Sequence, residues 1–135
     1  MNVKIILLTT SVLVVSLFGC KKKYSSNGET IFRTGKNLLG TTLQDLDKSD
    51  KKMAHSCVSC HGSNGSGKGM MSGTGSIKYS DLINPKLHNV PYTDKLLIRF
   101  IDHELKSDST IANTGVVWRM STQDKIDLIN YLKEL

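Results

Sequence analysis

Cys57, Cys60 and His61 stand together in the stretch Cys57-Val58-Ser59-Cys60-His61. Two thiols separated by two residues, with an imidazole directly after the second, suit three chemistries. A dithiol–disulfide couple uses such a pair, but it belongs beside a strand–helix–strand pattern. No alternation of apolar and polar residues flanks this one, and His61 would have no required place. A structural zinc ion needs four protein ligands. This stretch offers three at most, and two of them are adjacent and badly placed for one tetrahedral ion. His88 or His103 would have to complete the set. The third chemistry is covalent attachment of haem c, whose signature is C-x-x-C-H. Residues three apart share one face of a helical turn. Both sulfurs can then bond the two vinyl groups on one edge of a porphyrin, while the next residue turns its imidazole under the ring toward the iron. One such motif implies one haem.

The amino terminus bears on which chemistry is available. Lys4 precedes an apolar run from Ile5 to Phe18. That run is short for a bilayer span, which takes roughly 20 apolar residues. A basic start, an apolar middle and a small residue before the break describe an export signal over residues 1–19. Leu17-Phe18-Gly19-Cys20 resembles the lipobox of bacterial lipoproteins, apart from the Phe in its middle. The resemblance implies that Cys20 becomes the first residue and carries lipid on its thiol. Residues 20–28 are then a lipidated cysteine and a polar tether, "KKKYSSNG" from Lys21 onward, and residues 29–135 a folded domain. An uncleaved anchor helix is the alternative. The export reading places the chain outside the cytoplasm in a bacterial cell envelope, on the periplasmic side or the outer surface, where haem c is attached.

The elements that must hold the motif are visible in outline. A chain of 135 residues makes one small domain, not two. Its net charge of +6 is dispersed, and only Lys21-Lys22-Lys23 forms a run. Such a surplus suits an acidic protein partner or an anionic membrane surface. Without a basic stripe carrying aromatics it does not suit nucleic acid. Gly62 to Gly69 reads as a loop that folds tightly beside a flat ligand. It lacks the strand and the Gly-Lys-Ser/Thr that would make it a phosphate cradle. Asn27–Gly40 reads as a first helix broken by Gly35 and Gly40, with Ile31, Phe32, Leu38 and Leu39 as apolar contacts. Residues 44–52 read as exposed. Thr93–Leu105 reads as an amphipathic helix capped by Thr93, with Leu96, Leu97, Phe100 and Ile101 facing inward. Met120–Leu135 reads as a last helix capped by Ser121, with Asp124 on its positive end and Ile126, Ile129, Tyr131 and Leu132 as the buried stripe.

"CHGSNGSGKG" and "DLINYLKEL" closely resemble segments of class I c-type cytochromes, and the likeness extends over about residues 28–135. It implies an all-α fold of about four helices wrapped around one covalent haem. It also implies thioethers at Cys57 and Cys60, iron ligation by His61, and one-electron exchange with redox partner proteins rather than catalysis. In that family a second axial ligand, often the Met of a Met-Pro pair, precedes the last helix. Alignment on Trp118-Arg119-Met120-Ser121 puts Gly115 and Val116 at that pair. Met120 is the nearest substitute, although a residue before an N-cap also serves as a hydrophobic staple. His103, which falls in register with Leu96 and Phe100 and so is expected to face the core, is its rival, followed by Met70, Met71 and His88. An open sixth position would instead suit a haem sensor or a peroxidase-like protein. A haem subunit docked on an oxidase or reductase is a further alternative.

Overall fold

The computed structural model describes residues 23–50, 55–69 and 74–135. The export signal, Cys20, Met70 and Met71 lie outside the described residues. Among the described residues five helices follow one another: α1 (Asn27–Thr34), α2 (Cys57–His61), α3 (Tyr79–Leu82), α4 (Asp94–His103) and α5 (Thr122–Glu134). Among the described residues there are isolated bridges but no strands. The all-α expectation holds. The helix beyond the four anticipated is the single turn α3, too short to carry a periodic signal.

Local chemistry sets the helix ends. Ser26 caps α1 by accepting from the Glu29 amide, and Gly35 ends it in the left-handed region at φ 67°. A β-carbon on Gly35 would run into the carbonyl of His55. The residue that stops α1 therefore also lets it close on the segment leading to α2. Thr93 caps α4 through the Leu96 amide, as its position predicts. Ser121 and Asp124 form a reciprocal capping box at the start of α5.

α1 packs chiefly on α5. Ile31 and Phe32 are fully buried and join Leu43, Leu128, Tyr131 and Leu132. The Phe32 and Tyr131 rings are 5.3 Å apart and tilted by 56°. Burying one such side chain contributes about 1.5–3 kcal/mol. Leu82, Tyr92, Leu97 and Ile129 form a second cluster that joins α3 and α4 to α5.

Three sequence expectations are corrected. Leu38 and Leu39 do not enter the core. They are 63% and 91% exposed, because the chain turns tightly there, with the Gly40 amide donating to the Asn37 carbonyl. The segment expected to be exposed buries Gln44, Asp45 and Ser49. Asp45 meets Arg119 at 2.8 Å, and Ser49 accepts from the Val117 amide. Ile126 is exposed. The buried face of α5 instead includes Asp124 and Lys125, and Lys125 donates to both oxygens of Asp102 on α4.

Candidate haem-attachment site

Cys57 opens α2 and His61 closes it. Ser56 ends the extended approach, and its hydroxyl lies 3.0 Å from that of Ser59. Cys57 and Cys60 therefore occupy one short helical turn, both half-buried and neither in a disulfide. Cys57 and Val58 touch the core built from α1 and α5, as do Ile77, Tyr79, Trp118, Met120 and Leu135. Burial pushes the Cys57 thiol up to about 12.

The glycine-rich loop doubles back over α2. The Gly67 amide donates to the His61 carbonyl at 2.9 Å, and the Gly65 amide to the Gly62 carbonyl at 3.1 Å. A β-carbon on Gly69 would run into the Cys60 carbonyl, so only glycine lets the two backbones approach this closely. Gly62 turns the chain out of α2 at φ 77°. The Gly65 carbonyl then accepts from the Ile77 amide and the Ser76 hydroxyl, locking residues 75–77 beside the motif.

That lock positions His61. Its Nδ1 lies 2.7 Å from the Gly75 carbonyl oxygen. A carbonyl can only accept, so Nδ1 carries the proton and Nε2 keeps its lone pair. Burial lowers the His61 pKa, and the bond to Gly75 partly offsets this. The ring is thus held neutral, in one tautomer and one orientation, as a metal-binding imidazole requires. Nothing in the sequence marks Gly75. Its part is played by a backbone carbonyl 14 residues from the histidine, which no side-chain pattern signals.

The zinc reading lacks its remaining ligands. Among the described residues no group of three or more His, Cys, Asp or Glu side chains is arranged to hold a metal ion. His88 stacks edge-on against Tyr92. His103 ends α4 exposed to solvent, so the core-facing placement expected of it is not realised. By contrast the α2 residues fit a covalent haem: two thiols on one turn, an adjacent imidazole with a free lone pair, and apolar side chains around them.

The segment before α5 is pinned on both sides. The Thr114 amide and hydroxyl both donate to Glu104, which caps α4 at φ 53°. Gly115 follows in the left-handed region at φ 71°, and Val116 is buried. The Asp45 amide then donates to Val117, and the Arg119 amide to Leu43. Met120, the methionine present among the described residues, sits half-buried at the rim of the same core that Cys57 and Val58 touch.

The family model described as Cytochrome c matches residues 26–135. No curated protein and no solved structure matches the chain.

Proposed function

This chain belongs to the cytochrome c family, and from that premise we propose a specific assignment of its chemistry: Cys57 and Cys60 form the thioethers, His61 is the proximal iron ligand and Met120 the distal one. The family binds haem c covalently and transfers electrons. The bound haem supplies a one-electron change at its iron. The chain's own residues do the rest. His61, oriented by Gly75, presents an unprotonated Nε2. Gly62, Gly67 and Gly69 let the loop close over α2. The cluster around Phe32 and Tyr131 keeps water from one side of the site. A Met opposite a His raises the potential and favours electron transfer.

The protein works as a lipid-tethered carrier outside the cytoplasm, held by Cys20 and exchanging electrons with acidic partner proteins. Among the described residues no helix is long and apolar enough to cross a membrane. Exposed lysines such as Lys68, on the loop over α2, support steering that weakens with salt.

The observation that carries the reading is the bond between His61 Nδ1 and the Gly75 carbonyl, beside two thiols on one turn. Its test is a pyridine haemochrome spectrum of denatured protein from a haem-competent host, washed with acid-acetone. Two thioethers keep the pigment on the polypeptide and shift the spectrum from that of free haem. Pigment that washes away from intact Cys57 and Cys60 overturns the assignment.

A further inference from the structure

We propose that the Leu38–Leu39 turn is a second, non-covalent foothold that inserts into the headgroup region of the membrane carrying the chain; this rests on the reading of Cys20 as the lipidated residue. Leu38 and Leu39, exposed at 63% and 91%, are adjacent in the chain and together make an apolar tip. They are held outward rather than loose. The Asn37 side-chain oxygen accepts from the Leu39 and Thr41 amides, and the Asn37 amide donates to the Thr41 carbonyl. The Leu38 amide donates to the side-chain oxygen of Asn27 at 2.9 Å. Asn27 in turn donates to Asp124 and Asp127 on α5. Leu38 and Leu39 line one side of a hollow whose other walls are Asn27, Asn37, Asp124 and Asp127, and Asn27 engages both carboxylates, so what the leucines adjoin there is polar rather than core.

The occupant follows from where the chain leaves the domain. Asn27 is the seventh residue after Cys20. Seven extended residues reach at most about 25 Å, less than the breadth of a domain of roughly 100 residues, whose radius of gyration is about 13 Å. A lipid on Cys20 therefore keeps the Asn27 end of the domain near the bilayer. The Leu38 amide is bonded to Asn27, so the leucine turn is near it too. Lys21, Lys22 and Lys23 lie on the connecting segment, and Lys36 is exposed beside the turn. Anionic headgroups attract such residues within a Debye length. The carboxylates of Asp124 and Asp127 sit under the turn, bonded to Asn27, and do not form its tip.

The test uses the full, haem-loaded chain in vesicles of phosphatidylcholine and phosphatidylglycerol. With Cys20 acylated and Cys57 and Cys60 in thioethers, Leu39→Cys introduces the sole free thiol for a nitroxide. Ile111→Cys, at a position 70% exposed on another loop, is the reference. We expect the Leu39 label to gain collisions with oxygen and lose them with a water-soluble nickel chelate on vesicles, while the Ile111 label stays accessible to the chelate. Leu38→Asp should abolish that shift. Chain that floats with vesicles while the Leu39 label stays in water overturns the foothold and leaves the lipid tether standing. Chain that fails to float, with Cys20 unmodified by mass, overturns the tether and the foothold with it.

Discussion

Gly28 lies against Tyr131 where α1 meets α5, so close that a β-carbon on the glycine would stand 2.8 Å from the tyrosine's own Cβ and run into the carbonyl of Asp127. The meeting of the first and last helices thus depends on a missing side chain. Gly28 is buried near the start of α1, in ordinary helical backbone where alanine would favour the helix by about 1 kcal/mol. The clash with backbone outweighs that gain. Gly28→Ala is expected to cost about 1–3 kcal/mol net and to lower the melting temperature by several degrees. Gly75→Ala, with open space around it, should melt like the wild type. Thermal unfolding of the haem-loaded proteins, followed by circular dichroism, checks both.

Asp45 and Arg119 are the second long-range tie. The Asp45 side chain is 1% exposed, that of Arg119 66%. Asp45 also accepts from the amides of Asp47 and Lys48. Removing the arginine leaves a buried carboxylate short of its cation, whereas removing the carboxylate leaves an arginine free to meet water. Arg119→Leu should cost about 1.5–3 kcal/mol. The double change of Arg119→Leu with Asp45→Asn should cost less than the sum of the two singles. Urea unfolding of the four proteins measures the coupling, and strict additivity would show the pair to be energetically idle.

The elements that were legible in the sequence are those set by neighbours in the chain. Thr93 and Ser121 as caps, Gly35 as a breaker and the Cys57–His61 turn all follow from residues within four positions of each other. What was hidden is set by residues far apart. Asp45 looks like a surface charge until Arg119, 74 residues later, is folded beside it. Leu38 and Leu39 look like core until the Asn37 turn projects them outward. Ile126 fits the apolar period of α5, yet that face is turned away while Lys125 is drawn in by Asp102. The partner of His61 is a backbone carbonyl, which any residue type could supply.

Glu29 gives a pH signature. The backbone amide and hydroxyl of Ser25 and then the Arg33 guanidinium hold its pKa at about 2, below an ordinary value of 4.5. A carboxyl whose pKa is lowered by folding contributes stability above the unfolded value and loses it as pH falls through the folded one. The difference in stability between wild type and Glu29→Gln should therefore be constant above pH 5. It should shrink as pH falls from about 4.5 toward about 2. Denaturant titrations at a series of pH values measure it. A difference that persists unchanged at pH 2 would mean that the Glu29 charge is not what matters.

Met120 packs against the core and is the proposed distal ligand, and one substitution separates the two. It precedes the Ser121 cap and packs at the rim of the α1–α5 core. As distal ligand it would also give sulfur to the iron. Met120→Leu keeps the apolar volume, a change that usually costs less than about 1.5 kcal/mol, but removes the sulfur. If Met120 only packs, the leucine variant keeps the near-infrared spectrum and the potential of the wild type, whatever they are. If Met120 is the ligand, the weak near-infrared sulfur–iron band disappears, the potential falls and the reduced protein binds carbon monoxide rapidly, while its melting temperature stays within a few degrees of the wild type. Met120→Ala should show the same spectral loss together with a larger drop in stability, because the cavity it leaves at the core rim adds to the lost contact. Wild-type protein that itself binds carbon monoxide rapidly and lacks the band would remove Met120 from the iron and leave it to core packing alone.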